Sequence, residues 1–268
     1  MPKKMKYLLF SVLGLLLLSI GFLKFGDSGL LGMAGLDDKG LHWEAKTSTL
    51  EPQSKSILDH TAWNKLLKNY VAENGNVDYK AFRENQGKLR KYIAYLSQNE
   101  PKETWPVEEQ LAYYINLYNA GTVLLIVENY PVSSIKDIKK PWGQEFIAVG
   151  DKIVSLGAIE HSILRKMEEP RIHFAINCAS FSCPKLLNEA YTSRKLEKQL
   201  EEVTAGFINS EKNNIKKDEV ALSKIFDWYK KDFPNRDLIS YINKYSEVQV
   251  ADDAKIDFMD YDWRLNEQ

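Results

Sequence analysis

Apolar and polar positions alternate along this chain in a pattern that changes several times. The first stretch is the simplest: Lys3, Lys4 and Lys6 precede an uncharged run from Tyr7 to Leu23, and Lys24 closes it. A positive start followed by an apolar stretch is the pattern of a signal peptide or signal anchor. The positive-inside rule keeps the lysines cytoplasmic and sends the rest of the chain across. The run is at the short end for a spanning helix. No small-x-small cleavage site lies just after Leu23, and the absence of a following Cys excludes a lipoprotein anchor. The expectation is an uncleaved anchor over residues 1–25 in the lipid bilayer of the cell membrane. The domain then lies on the extracytoplasmic side; secretion after signal cleavage is the alternative. Residues 26–56, with Gly26, Gly29, Gly32, Gly35 and Gly40 and a Ser/Thr/Pro stretch, read as a flexible spacer.

Helical periodicity begins at residue 57. Trp63, Leu66, Leu67, Tyr70 and Val71 mark one amphipathic helix, with His60 and Thr61 as candidate cap or surface residues; Leu89, Tyr92, Ile93 and Leu96 mark another. Val77-Asp78-Tyr79 reads as a short extended piece. The most apolar helix runs from Val107 to about Asn129, and Pro131 stops it. Residues 146–149 and 152–156 are β-prone and separated by Gly150-Asp151, a two-residue hairpin signal. Ser155 caps a helix to about Met167. Arg171 to Asn177 alternates and predicts a buried strand, and Cys178 to Pro184 a loop. Further helices are predicted from Ser193 to Asn209, Ile225 to Tyr229 and Leu238 to Tyr245. Val220 to Leu222 predicts a short strand, and Ile256 to Trp263 an extended, docked tail. The fold class is α+β: a mainly helical single domain over residues 57–268 with a few short strands, preceded by an N-terminal hydrophobic helix.

Composition narrows the function classes. Hydrophobic residues are 44% and charged residues 27%, with net charge −1. No basic field or aromatic-interleaved basic stripe recruits nucleic acid. The partner is an unidentified small molecule or protein.

Chemistry-bearing residues are few. Cys178 and Cys183 are the only cysteines, and His42, His60, His161 and His173 the only histidines. The cysteines form either a disulfide, which an extracytoplasmic compartment permits, or a reactive thiol site, which needs a neighbouring His, cation or helix N-terminus. Two thiols without a second ligand pair are an incomplete metal site, so neither metal nor cofactor is expected. His173 lies five residues before Cys178, and in a strand that odd offset puts the two on opposite faces. His161 has Arg165 one turn later on the same face and is open to either thiol. Asn116 and Asn119 share a face of the apolar helix, where buried amides must brace backbone or face a site. Glu160 and Arg171 are ion-pair members or site residues.

These residues sit in blocks that resemble the domain-of-unknown-function 547 family. The blocks are 114–120 (YINLYNA), 159–165 (IEHSILR), 170–175 (PRIHFA), Cys178-Ala179-Ser180, Ser182-Cys183-Pro184, Ala190-Tyr191, Phe207-Ile208-Asn209, 223–229 (SKIFDWY), Asp232-Phe233 and 260–266 (DYDWRLN). They run in order from about Asp59 to Asn266. The resemblance supplies a domain definition and no settled activity. Gly157-Ala158 stands where the family commonly has an acidic residue, which weakens a carboxylate role there.

Three functions are weighed. In a cysteine-dependent hydrolase or transferase, Cys178 or Cys183 is the nucleophile and His161 or His173 the base. Asn116 or Asn119 then orients, Glu160 belongs to the same polar cluster, and Arg165 or Arg171 holds an anion. In a binding or scaffold domain, both cysteines are structural. A thiol–disulfide exchange protein ranks third, because redox motifs normally separate their thiols by two residues and here four intervene.

Overall fold

The computed structural model describes residues 57–268. The apolar run Tyr7–Leu23 and the spacer lie outside the described residues. Among the described residues no helix is long and apolar enough to cross a membrane.

The centre is α4 (Val107–Asn129). It is apolar all round, and nearly every residue from Leu111 to Val127 is buried, as expected of a helix enclosed on all sides. Against it pack α2 (Tyr79–Glu84) and α3 (Gln86–Gln98), and α1 (Thr61–Tyr70) packs on those two. Each turns an apolar face inward: Trp63, Leu66 and Leu67 from α1, Phe82 from α2, Leu89, Tyr92 and Leu96 from α3. His60 occupies the N-cap position of α1, where its carbonyl accepts from the Asn64 amide but its side chain makes no cap bond; it is not a surface residue. It is buried, with Nδ1 2.7 Å from the Tyr92 hydroxyl, while Asp59 accepts from the Thr61 amide. Tyr79 is likewise not extended: Asp78 caps α2 by accepting from the Ala81 amide (2.8 Å).

The hairpin forms as its turn residues dictate. β1 (Ile147–Val149) pairs antiparallel with β2 (Lys152–Val154). Gly150 holds φ +58° at the turn, where a Cβ would collide with the Glu100 carboxylate. Ser155 then accepts from the Ala158 amide and starts α5 (Leu156–Ala158). The helix expected to run on to Met167 instead changes pitch, through a π turn at Ile159–Ile163 and a 3-10 turn at Leu164–Met167. A π turn widens the backbone locally and re-aims its side chains.

The predicted strand at Arg171–Asn177 is a helix, α6 (Ile172–Ala175). The physical reason is local. The amides of His173, Phe174 and Ile176 donate to carbonyls three or four residues back, and among the described residues no strand pairs with this segment. Every residue from Ile172 to Asn177 is buried, so the apparent alternation never separated an inner face from an outer one. The opposite-face argument separating His173 from Cys178 therefore lapses. α7 (Leu196–Ile208) packs on α6. A three-stranded sheet follows: β3 (Asn214–Ile215) is antiparallel to β4 (Glu219–Leu222), which is parallel to β5 (Lys255–Phe258). Helices α8 (Lys224–Trp228) and α9 (Leu238–Ile242) lie between β4 and β5.

The C-terminal tail stitches the structure together. Single bridges join Arg264 to Ser134, Leu265 to Ser180 and Glu267 to Val77. Asn266 is buried and accepts from the Tyr79 hydroxyl at 2.7 Å. The described chain is thus mainly helical with a few short strands.

Candidate functional site

Asparagines build the cysteine loop. Asn119, buried in α4, donates to the Ala175 carbonyl (3.0 Å) and accepts from the Asn177 amide (2.9 Å). It thereby fixes the end of α6. Asn177 in turn accepts from the Ala179 amide (2.8 Å) and donates to the Pro184 carbonyl (2.7 Å), closing the loop across its mouth. Ala179 sits at φ +61°, a region that non-glycine residues occupy only when their surroundings compel it. That reversal folds Cys183 back over Cys178.

The two sulfurs lie 2.8 Å apart with no disulfide bond between them. Cys183 is 4% exposed and Cys178 part-exposed. The Cys178 amide donates to Cys183 Sγ (2.9 Å). Ser180 Oγ and the Tyr261 hydroxyl lie 3.2 and 3.3 Å from Cys178 Sγ, and 2.8 Å from each other. Lys212 Nζ donates to the carbonyls of Phe181 and Cys183. Burial opposes ionisation of Cys183. The Cys178 thiol and amide, with help from Tyr261 and the Lys212 charge, outweigh it and bring the Cys183 thiol down to about 7. Cys178 moves the opposite way: its hydrogen bond to Cys183, then burial, pushes its thiol well up. The pair behaves as one acid that yields its first proton easily and its second with difficulty.

The other expected site residues form a separate network. Glu160, on the π turn and 4% exposed, accepts from the hydroxyls of Tyr229 (2.5 Å) and Tyr118 (3.2 Å). Asp232 accepts two hydrogen bonds from Arg165 (2.6 and 2.8 Å) and lies 2.8 Å from His173 Nε2. Burial pushes the Asp232 carboxyl upward, but Arg165 and His173 prevail and hold it well below the usual carboxylate range. His161 Nδ1 meets Arg165 Nη1 at 3.1 Å, as the one-turn spacing predicted. His173 stacks on Tyr229 with centroids 4.0 Å apart. Its burial lowers its pKa despite Asp232.

The sequence-derived cluster thus divides. Cys178 and Cys183 come together, but the hydrogen bonds of His161 and His173 go to Arg165 and Asp232, not to a thiol. Asn116 braces the Tyr191 backbone through both its amide and its carbonyl groups, and Asn119 braces α6. Neither braces residues 180–184 directly; Asn177 does that. Arg171 is clamped by Glu169, Glu197 and Glu201. Sequence reasoning missed Asp232, Tyr229, Tyr261 and Lys212. Asp232, Tyr229 and Tyr261 fall within the family blocks, the one signal that pointed to them. Among the described residues no group of three His, Cys, Asp or Glu side chains is placed to hold a metal ion.

Fold and site together define a helical α+β domain that carries a part-buried, backbone-braced dithiol loop. Residues 102–208 match the model of the family described as "Protein of unknown function, DUF547". The matched segment contains α4, the π turn, α6 and both cysteines, and lies within the span where the blocks resemble that family. No curated protein and no solved structure matches the chain.

Proposed function

We propose that the domain performs thiol–disulfide exchange, with Cys178 and Cys183 as the redox pair. The observation that carries this is the facing of two free sulfurs at 2.8 Å, one of them accepting the other's backbone N–H. The histidines that a cysteine-dependent hydrolase or transferase needs as base spend their hydrogen bonds elsewhere. Cys183, the readier of the two to ionise, first gives its proton to solvent, and its thiolate then serves as base toward Cys178, the more exposed. The Cys178 thiol passes its proton to Cys183 as its sulfur attacks one sulfur of a partner's disulfide, and the partner's other sulfur leaves as a thiolate. That thiolate takes the proton from Cys183. Cys183 Sγ then attacks Cys178 Sγ and releases the partner's second sulfur, which a solvent proton completes as a thiol. The chain ends with a disulfide and the partner with two thiols: two electrons have crossed, with one proton from Cys178 and one from solvent, which balances the proton that Cys183 released. Nothing prevents the reverse reaction. In this reading the N-terminal segment tethers the domain to the extracytoplasmic face of the membrane, where disulfides persist. Its partners there are small-molecule or protein disulfides, not nucleic acid.

The test equilibrates the full chain in thiol–disulfide buffers of graded potential, then quenches with acid, alkylates and reads both cysteines by peptide mass spectrometry. The two should titrate together with a midpoint above about −300 mV, the region of exchange-active pairs. The rate of attack on a disulfide should rise as pH passes about 7. A midpoint below that region, or thiols that exchange only after unfolding, would instead establish a structural pair in a binding or scaffold domain.

A further inference from the structure

An aromatic strip begins at the dithiol loop and runs outward. Tyr261, whose hydroxyl lies beside Cys178 Sγ, packs against Trp263 with centroids 4.5 Å apart and against Trp228 at 4.8 Å. Trp263 stacks on Trp228 at 5.7 Å and meets Trp142 edge-on at 5.7 Å. All four rings are part-exposed, and Phe181, within the loop itself, is 43% exposed. Tryptophan and tyrosine grouped on a surface are the residues that dominate interface energetics.

Two lysines lie over the rings. Lys136 is exposed with Nζ 4.9 Å from the Trp263 ring centroid, and Lys212 lies 5.1 Å from the ring of Phe181. Neither makes an ion pair among the described residues. Arg264 and Lys224, also nearby, are neutralised by Asp262 and Asp227. Asp137 and Asp260 are exposed in the same segments, but the charged groups placed over the aromatic rings without an ion pair are the ammonium groups of Lys136 and Lys212.

We infer that this strip docks the partner: a polypeptide segment bearing a disulfide, with apolar and acidic residues beside its cysteine. The inference rests on the exchange reading above. Along the strip the Tyr261 and Trp263 centroids are 4.5 Å apart and those of Trp263 and Trp142 5.7 Å, so it spans at most the length of roughly three residues of extended chain. A segment laid along it brings its cysteine to Cys178 while its side chains contact Trp263 and Trp142 and its carboxylates face Lys136 and Lys212.

The test follows reaction of the reduced full chain with three probes. One is bis(2-hydroxyethyl) disulfide. The others are synthetic peptides, each with one cysteine as a mixed disulfide flanked by leucines and either glutamates or lysines. The glutamate peptide should react fastest, with a rate that falls as salt is added. Trp263→Ala should lower the ratio of its rate to that of the small disulfide about tenfold. Lys136→Glu, on an exposed side chain that folding does not need, should lower the same ratio and reverse the preference between the peptides. Ratios unchanged in both variants, while the small disulfide still reacts, would overturn the docking surface and leave the exchange reading standing. A chain that reacts with none of the probes overturns both.

Discussion

The dithiol loop and the Glu160–His173–Asp232 network lie in the same part of the chain, yet they treat polar groups in opposite ways. In the network, unlike groups face each other. The Asp232 carboxylate meets the Arg165 guanidinium and a histidine, and the Glu160 carboxylate meets two hydroxyls. Such an arrangement is at rest, because each member relieves the burial cost of the other. In the loop, two like groups face each other: both thiols are donors, and only one proton fits well between sulfurs 2.8 Å apart. It relaxes by losing a proton or by forming a bond. The difference teaches that buried polarity alone does not mark a reactive site; mismatch between the facing groups does.

Four measurements sharpen that contrast. The largest effect belongs to the loop. Cys183→Ser should abolish closure of the disulfide and leave Cys178 trapped as a mixed disulfide, visible by mass spectrometry, while costing only about 1 kcal/mol of stability. A variant that still releases two thiols per chain would refute the pairing.

Asn119→Ala should act on stability instead. It strips the Ala175 carbonyl and the Asn177 amide of their buried partner, at a cost of about 3 kcal/mol in urea unfolding. It should also blunt the reactivity of the loop that Asn177 anchors. A loss below 1 kcal/mol would mean the brace is replaceable.

The third test varies pH. Burial holds His60 neutral, with its pKa down to about 4. An unfolded chain restores the ordinary value of about 6.5. Between these values the unfolded state binds a proton that the folded state refuses. Stability is therefore complete above pH 6.5 and falls as pH drops toward 4, by up to about 3 kcal/mol. His173, also lowered by burial, adds in the same direction. His60→Gln should flatten most of the slope in unfolding curves taken at pH 7, 5 and 4; an unchanged slope would assign it to other groups.

The smallest expected effect is that of Asp232→Asn. The pair with Arg165 is partly solvated (side chains 29% and 18% exposed), so the loss should be about 2 kcal/mol, below the range for a fully buried pair. Exchange at the dithiol should persist. Loss of exchange in a folded Asp232→Asn chain would show that network and loop act as one site.

The sequence by itself determined the elements whose signals are local. α1, α3, α4 and α7 follow from helical spacing of large apolar side chains, and the β1–β2 hairpin from Gly150-Asp151. Buried charge and scarce cysteine drew notice to Glu160, Arg165, Cys178 and Cys183 with no structure at all. The reading failed where the deciding contacts are distant in sequence. Residues 171–177 alternate like a strand, but a strand needs a neighbour to take its hydrogen bonds, and among the described residues none pairs with them. Four residues separate Cys178 from Cys183 along the chain, and spacing alone argued against a redox pair. What joins them is the left-handed turn at Ala179, held by Asn177, which Asn119 holds from another helix. The division of the polar residues was equally invisible: Asp232, which draws Arg165 and His173 away from the thiols, lies 59 residues beyond His173. Spacing fixes which face of an element a side chain occupies, whereas the partner it meets depends on how the elements pack, and here only the tertiary structure decided that.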